Sequence, residues 1–253
     1  MVKLSVNVNK IALLRNARGG NHPSVIEFAK KAIAAGASGI TVHPRPDMRH
    51  IVPDDVIQLG HWLKETPYEF NIEGNPFEEA NGLFPGFMTL IDSVKPDQCT
   101  LVPDTRHQKT SDHGWDFIRD GDALRPIIRH IHDAGIRCSV FIDPNHASLE
   151  GARACGATCI ELYTESYARA FFEGNYADIL ANYWDIGRQA HDWGMRVNAG
   201  HDLNIRNLAA FAAMPYLDEV SIGQALVTDA LEWGFHNAVQ AYCKVLEPFG
   251  RIS

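Results

Sequence analysis

Eight short runs of β-branched and other apolar residues, each followed by a longer stretch, constrain this chain more than any other feature. The runs are Leu4–Asn9, Gly39–Pro44, Tyr68–Asn75, Gln98–Pro103, Arg137–Pro144, Thr158–Thr164, Met195–His201 and Glu219–Gln224. Several intervening stretches are helical in period. Val25, Phe28, Ala29 and Ala32 recur at i, i+3, i+4 and i+7, and Leu124, Ile127, Ile128 and Ile131 repeat the pattern. Strands separated by helices pair in parallel through right-handed crossovers. Four junctions share one punctuation, a helical or turn-like run, then glycine, then strand, at Gly36, Gly135, Gly156 and Gly194. A glycine there takes the left-handed conformation that ends a helix. An open, doubly wound sheet is the alternative. Eight units with no Pro/Ser/Gly-rich linker favour closure, so the expected fold is α/β, a single (β/α)8 barrel over residues 1–253 with extra helices. The length supports this, since such barrels typically take about 250 residues.

Two stretches exceed a minimal unit. Asp104–Asp116 is polar and loop-like, and Glu165–Gly194 has room for an additional helix. Long loops in compact domains usually serve function, often as lids.

A barrel of this kind carries its active site at the C-terminal strand ends. Polar residues concentrate there: Asn7, Asn9 and Lys10 after the first run, His43, Arg45 and His50 after the second, and Glu73 in the third. Asp104, Arg106 and Thr110 follow the fourth, Glu161 lies in the sixth, Asn198 and His201 end the seventh, and Gly223 and Gln224 end the eighth. A strand-end histidine can be a capped surface residue. A carboxylate inside an apolar strand needs a partner or a raised pKa. Convergence of acids, bases and cations on one rim therefore reads as an enzyme that performs several proton transfers. His61, His130, His132, His191 and His236 fall in helical segments and read as surface or interhelical. The chain has no H-x-H pair on a strand and no H-E-x-x-H, so no metal site is expected.

The formal net charge is −8, from 23 Lys and Arg against 31 Asp and Glu. This argues against a nucleic-acid partner, which requires a basic stripe. Against that acidic background the segment KIALLRNARGG, Lys10–Gly20, is locally basic and reads either as a solvated loop or, with Arg45, Arg49 and His50, as an anion cradle. Gly223 and Gln224 before an amphipathic helix form a second, where helix N–H groups favour phosphate. Together Lys10, Arg15, Arg18 and Arg45 suggest a positive mouth for two phosphorylated substrates. The five cysteines are odd in number and sit in apolar surroundings, which fits reduced thiols. Lys3 and Asn7 interrupt the N-terminal apolar stretch, and no run approaches a membrane span of about 18 residues, so a cytoplasmic protein without membrane partners is expected.

Several of these segments occur together, in order, in one family. The pieces VNVNKIALLRNARGG, GITVHPRPDMRHI, NIEGN, LVPDTRHQKTSDHG, FIDP, IELYT, VNAGH and SIGQAL resemble the pyridoxine 5′-phosphate synthases, from the first strand to the last helix. The resemblance implies condensation of 1-deoxy-D-xylulose 5-phosphate with 3-amino-2-oxopropyl phosphate, with release of pyridoxine 5′-phosphate, phosphate and water. It implies no metal or organic cofactor, and oligomers built from dimers, typically octamers. By motif, His43 resembles the first general base, Glu73 the second proton acceptor, His201 the proton donor and Glu161 the residue that stabilises the transition state. Arg45, His50 and Thr110 match positions that hold the deoxyxylulose phosphate. Asn7, Arg18, Asp202, Gly223 and Gln224 match contacts to the amino-ketone phosphate, and the resemblance implies that Arg18 reaches a neighbouring subunit's site.

The chain departs from the family pattern in three places. Asn9 and Lys10 stand where Asp-His is commoner, Asp202 follows NAGH where Gly is commoner, and Gln224 replaces a histidine. Lys10 and Gln224 can still donate to phosphate, whereas Asp202 beside a phosphate would repel it unless it points away or takes another role. Retained chemistry with a retuned phosphate site is expected. The alternatives are another phosphosugar aldolase or isomerase, or a non-catalytic protein that binds a phosphorylated metabolite.

Overall fold

Eight parallel strands pair in sequence order and close, β1 against β8. They are β1 (Lys3–Asn7), β2 (Gly39–Val42), β3 (Glu69–Gly74), β4 (Gln98–Leu101), β5 (Arg137–Ile142), β6 (Cys159–Leu162), β7 (Arg196–Ala199) and β8 (Leu217–Ile222). The structure is a computed structural model and describes residues 1–105, 108 and 110–249. Arg106 and part of the polar loop that contains it lie outside the described residues. The helices are α1 (Asn9–Asn16), α2 (Val25–Ala34), α3 (Pro53–Leu63), α4 (Phe87–Val94), α5 (Phe117–Asp133) and α6 (His146–Ala154), then α7 (Glu165–Glu173), α8 (Ala177–Asp192), α9 (Leu208–Ala212), α10 (Gln224–Trp233) and α11 (Phe235–Leu246). Among the described residues, no helix is long and apolar enough to cross a membrane.

The four junction glycines all take positive φ, from 77° at Gly194 to 112° at Gly36. They turn the chain from α2, α5, α6 and α8 into the next strand. The strands alternate in an unusual sense. Leu4 and Val6, Ile40 and Val42, Phe70 and Ile72, and Val220 and Ile222 are buried members of the apolar core. Their neighbours Ser5, Thr41, Asn71, Thr100 and Ser139 are equally buried but polar. Period-two alternation places these polar residues on the same face as Asn7, His43, Glu73, Val102 and Phe141, which line the cavity described below. The barrel interior therefore carries a small polar layer where such barrels usually carry Val, Ile and Leu. Four of its members satisfy one another: Ser5 and Thr41 hydroxyls lie 2.7 Å apart, Asn71 Nδ2 donates to Thr41 Oγ1 at 3.5 Å, and Thr100 Oγ1 donates to Asn71 Oδ1 at 3.1 Å.

The first strand is shorter than its sequence suggests. It stops at Asn7, because the Asn7 side chain accepts from the Asn9 amide at 3.0 Å and turns the chain into α1. Most of the basic segment Lys10–Gly20 is thus helix, with Ile11 and Ala12 buried, instead of a solvated loop. The eighth strand likewise ends at Ile222, leaving Gly223 as the cap and Gln224 as the first residue of α10.

The additional helix expected between the sixth and seventh strands is α7. Tyr167 on α7 packs its ring against Phe211 at 5.0 Å and donates its hydroxyl to the Asn207 carbonyl at 2.7 Å. Asn207 Nδ2 in turn donates to the Asp202 carbonyl at 3.3 Å, so α7 braces the turn that follows β7.

Candidate active site

A cavity of about 570 Å³ opens at the C-terminal ends of the strands. Asn7, Asn9, Lys10, His43, Arg45, His50 and Glu73 line it from the first three strand ends. Thr110, Glu161, His201, Asp202, Gly223 and Gln224 line it from the others. Of the residues singled out from sequence, Arg15, Asp104 and Asn198 do not line this cavity, and neither does Arg18, which is exposed.

His43 directly follows β2, and its amide donates to Asn9 Oδ1 at 2.9 Å, which ties the first two strand ends together. Its ring stands between two carboxylates. Nε2 lies 3.2 Å from Asp104 Oδ2, and Nδ1 lies 3.8 Å from Glu73 Oε2. Burial alone would raise the Asp104 pKa, but His43 and the ion-paired Arg45 outweigh it and hold this carboxyl below its ordinary range. Arg45 also donates to the carbonyls of Thr105 and Gln108, at 3.3 and 3.2 Å, so it anchors the described part of the polar loop over the cavity. From its position after the fourth strand alone, Asp104 is a rim residue without a role. The structure gives it one, as the shared partner of His43 and Arg45.

His50 is neutral. Burial, with His43 and Arg45 nearby, depresses its pKa to about 3. Its Nδ1 accepts the Ile51 amide at 2.9 Å. The remaining nitrogen, Nε2, therefore carries the hydrogen and is a donor suited to a phosphate oxygen.

Glu73 and Glu161 are both buried. Burial, then the neighbouring carboxyls of Glu161 and Asp104, push the Glu73 pKa well above the usual carboxylate range. Ser221, which sequence reading missed, donates to Glu73 Oε1 at 3.5 Å. Its signal was available, as the inward residue of the last strand by period two. Glu161 is pushed up to about 7 by burial, with His201 pulling the other way. A carboxyl poised there can give or take a proton near neutral pH.

The folded state thus holds a proton on Glu161 that the unfolded chain releases near the ordinary carboxylate value. Stability from this group is present at low pH and is lost as pH rises toward about 7. Glu161→Gln should therefore become progressively more stable than the wild type between about pH 5 and pH 8. Denaturant midpoints across that range check this, and a constant gap would show that Glu161 ionises normally.

His201 lies two residues beyond β7. Its Nε2 is 2.7 Å from Thr110 Oγ1 and its Nδ1 is 2.8 Å from Asp202 Oδ2. At the last strand, a Cβ on Gly223 would stand 3.0 Å from the Asn7 Cβ and 3.1 Å from its carbonyl oxygen. Only glycine lets the start of α10 approach β1 this closely. The first-turn amides of a helix lack intrahelical acceptors, and Gln224 and Ala225 both line the cavity.

One expectation about the positive mouth changes. Arg15 does not face the cavity. It is ion-paired with Asp55 on α3, Nη2 to Oδ2 at 2.8 Å, and reaches the His50 carbonyl at 3.3 Å. Arg15 is therefore a brace for the segment that carries His50, and among the described residues the Lys and Arg side chains that line the cavity are Lys10, Arg45 and Arg49. The Asp202 carboxylate meets the His201 ring, with Oδ2 2.8 Å from Nδ1. Its amide donates to Thr164 Oγ1 at 3.2 Å. Among the described residues, no group of three or more His, Cys, Asp or Glu side chains is placed to hold a metal ion. All five cysteines are free thiols.

A family model described as pyridoxal phosphate biosynthesis protein PdxJ matches residues 4–248. Among curated relatives, the pyridoxine 5′-phosphate synthase of Xanthomonas campestris pv. campestris is 50% identical over 244 residues, covering 96% of this chain and 95% of the relative. The pyridoxine 5′-phosphate synthase of Christiangramia forsetii is 48% identical over 248 residues, covering 98% of this chain and 100% of the relative. Among solved structures, 3-keto-L-gulonate-6-phosphate decarboxylase from Vibrio cholerae superposes with a TM-score of 0.64 at 10% identity, covering 98% of this chain and 99% of that one. Phosphoribosyl anthranilate isomerase from Thermotoga maritima gives 0.60 at 13% identity, covering 98% and 100%. At these identities the two structures speak to the barrel fold alone.

Proposed function

The chain belongs to the PdxJ family of pyridoxal phosphate biosynthesis proteins and has the activity of a pyridoxine 5′-phosphate synthase; on that premise we propose how its cavity closes the ring. The substrates are 1-deoxy-D-xylulose 5-phosphate and 3-amino-2-oxopropyl phosphate. Holding both in one cavity removes most of the entropic barrier to their meeting. Arg45, neutral His50 and Thr110 take the deoxyxylulose phosphate. Asn7, Lys10, Gly223 and Gln224 take the amino ketone, with its phosphate against the first turn of α10. Lys10 and Gln224, where histidines are commoner, make this phosphate site independent of histidine titration.

The amine adds to the ketone and the resulting carbinolamine loses water to form an imine. Enolisation, loss of phosphate and ring closure then move further protons. His43, oriented by Asp104, is the first base. Glu73, which faces His43, accepts the second proton. Glu161 stabilises charge in the transition state, and His201 donates a proton through Nε2 to a departing hydroxyl, which leaves as water. The observation that carries this reading is the convergence of these four side chains on one cavity, with Arg45 and His50 on one edge and the first turn of α10 on another. Closure of the loop around Thr110 over the bound substrates would exclude water from reactive intermediates.

We also propose a cytoplasmic homo-oligomer built from dimers, an octamer in its full form. Ile118, Phe172 and Leu231 are large apolar side chains left mostly exposed, which favours subunit burial. Arg18, outside its own chain's cavity, is free to serve a neighbour's.

The test is to supply the amino ketone labelled with 15N together with deoxyxylulose phosphate. The label is expected in the pyridine ring of pyridoxine 5′-phosphate. Conversion of deoxyxylulose phosphate alone would favour an isomerase or aldolase instead.

A further inference from the structure

We propose that Asp202 is a positioning residue that fixes the tautomer of His201 and so directs its proton through Nε2; this rests on the synthase reading of the cavity.

The geometry is a carboxylate–imidazole–hydroxyl line. Asp202 Oδ2 is 2.8 Å from His201 Nδ1, and on the far side His201 Nε2 is 2.7 Å from Thr110 Oγ1, which lines the cavity. An ionised carboxylate is an acceptor only, so Nδ1 must be the nitrogen that carries a hydrogen in both protonation states. Only Nε2, the nitrogen facing the cavity, then gains and loses a proton. When the charged ring gives its Nε2 proton to a departing hydroxyl, water leaves and the neutral Nδ1–H tautomer remains, already held by Asp202.

The turn that carries Asp202 is built to hold this position. Its amide donates to Thr164 Oγ1 at 3.2 Å, while Thr164 Oγ1 donates to the Gly200 carbonyl at 3.1 Å. Its carbonyl accepts from Asn207 Nδ2 at 3.3 Å, and Leu203 donates back to Gly200 at 2.7 Å. Thr164 and Asn207 are themselves buried. With the backbone pinned on both sides, the carboxylate stays on the histidine, and the amide has no hydrogen left for a substrate phosphate. Tyr163, whose ring lies 5.5 Å from that of His201, limits the imidazole further.

The experiment compares Asp202→Ala and Asp202→Asn with the wild type in two readouts. In steady-state kinetics with both substrates, Asp202→Ala is expected to lower kcat by about 10²-fold or more, within the range for impairing a general acid, with each KM within about twofold. Asp202→Asn, which can still accept from Nδ1, should recover part of the loss. In NMR of enzyme labelled with 15N-histidine, the wild type should show one imidazole with a slowly exchanging Nδ1 proton that Asp202→Ala removes. A change in KM at unchanged kcat would overturn the proposal, because Asp202 would then act on a substrate phosphate. So would an Nδ1 signal that survives Asp202→Ala. Should the wild type form no pyridoxine 5′-phosphate, the synthase reading fails, and the Nδ1 proton alone decides whether Asp202 sets the tautomer.

Discussion

His201→Asn is expected to lower kcat by about 10²- to 10⁴-fold, the range for removing a general acid, while the melting temperature moves little. The asymmetry follows from position. The His201 side chain keeps 24% of its accessible surface and sits outside the apolar core, so its loss opens no buried void. Its ring hydrogen bonds, to Thr110 and Asp202, both serve the cavity. An asparagine can fill the place and hydrogen-bond, but it cannot titrate near neutral pH. Rapid quench with both substrates and a thermal melt check the two halves. A kcat near that of the wild type would remove His201 from the chemistry.

Glu73→Gln should separate activity from stability even more clearly. Glu73 is buried, and burial together with Glu161 and Asp104 raises its pKa well above the ordinary carboxylate range. Folding therefore takes up a proton at this site, and stability falls as pH rises above the unfolded carboxylate value. Glutamine has nearly the same shape and no proton to lose. The variant should match or exceed the wild type in stability, with a margin that grows toward alkaline pH. Turnover should fall by about 10²- to 10⁴-fold, since a side chain 3.8 Å from His43 that must accept a proton no longer can. Parallel denaturant titrations and steady-state rates at several pH values provide the measurement. A variant that is both active and destabilised would mean that Glu73 serves packing.

Much of this arrangement is legible in the order of residues along the chain. The recurrence of strand, helix and glycine points to closure, and His43, Glu73, Glu161 and His201 each sit at or just beyond a strand's C-terminal end. The polar barrel interior was legible too. Ser5 and Asn7, Thr41 and His43, and Asn71 and Glu73 each lie two apart, and a strand gives such pairs one face. Contacts between distant segments are another matter. Arg15 looks like one of several cations near a phosphate, and its partner Asp55 lies 40 residues away on α3. Asp202 looks like a repulsive charge beside a phosphate until the turn is folded and its carboxylate meets the imidazole of the preceding residue. Local pattern reports which face a side chain occupies. It does not report which of several charged groups on that face becomes its partner, because that choice depends on loop geometry set by the whole barrel.

The most direct test of the central claim, that one cavity joins two phosphorylated substrates, is 31P NMR of deoxyxylulose phosphate and amino-oxopropyl phosphate with catalytic amounts of enzyme. Both substrate signals should decline together, pyridoxine 5′-phosphate and inorganic phosphate should rise in equal amounts, and neither substrate should change when supplied alone. Consumption of either substrate by itself, or persistence of both beside enzyme that binds them, would contradict it.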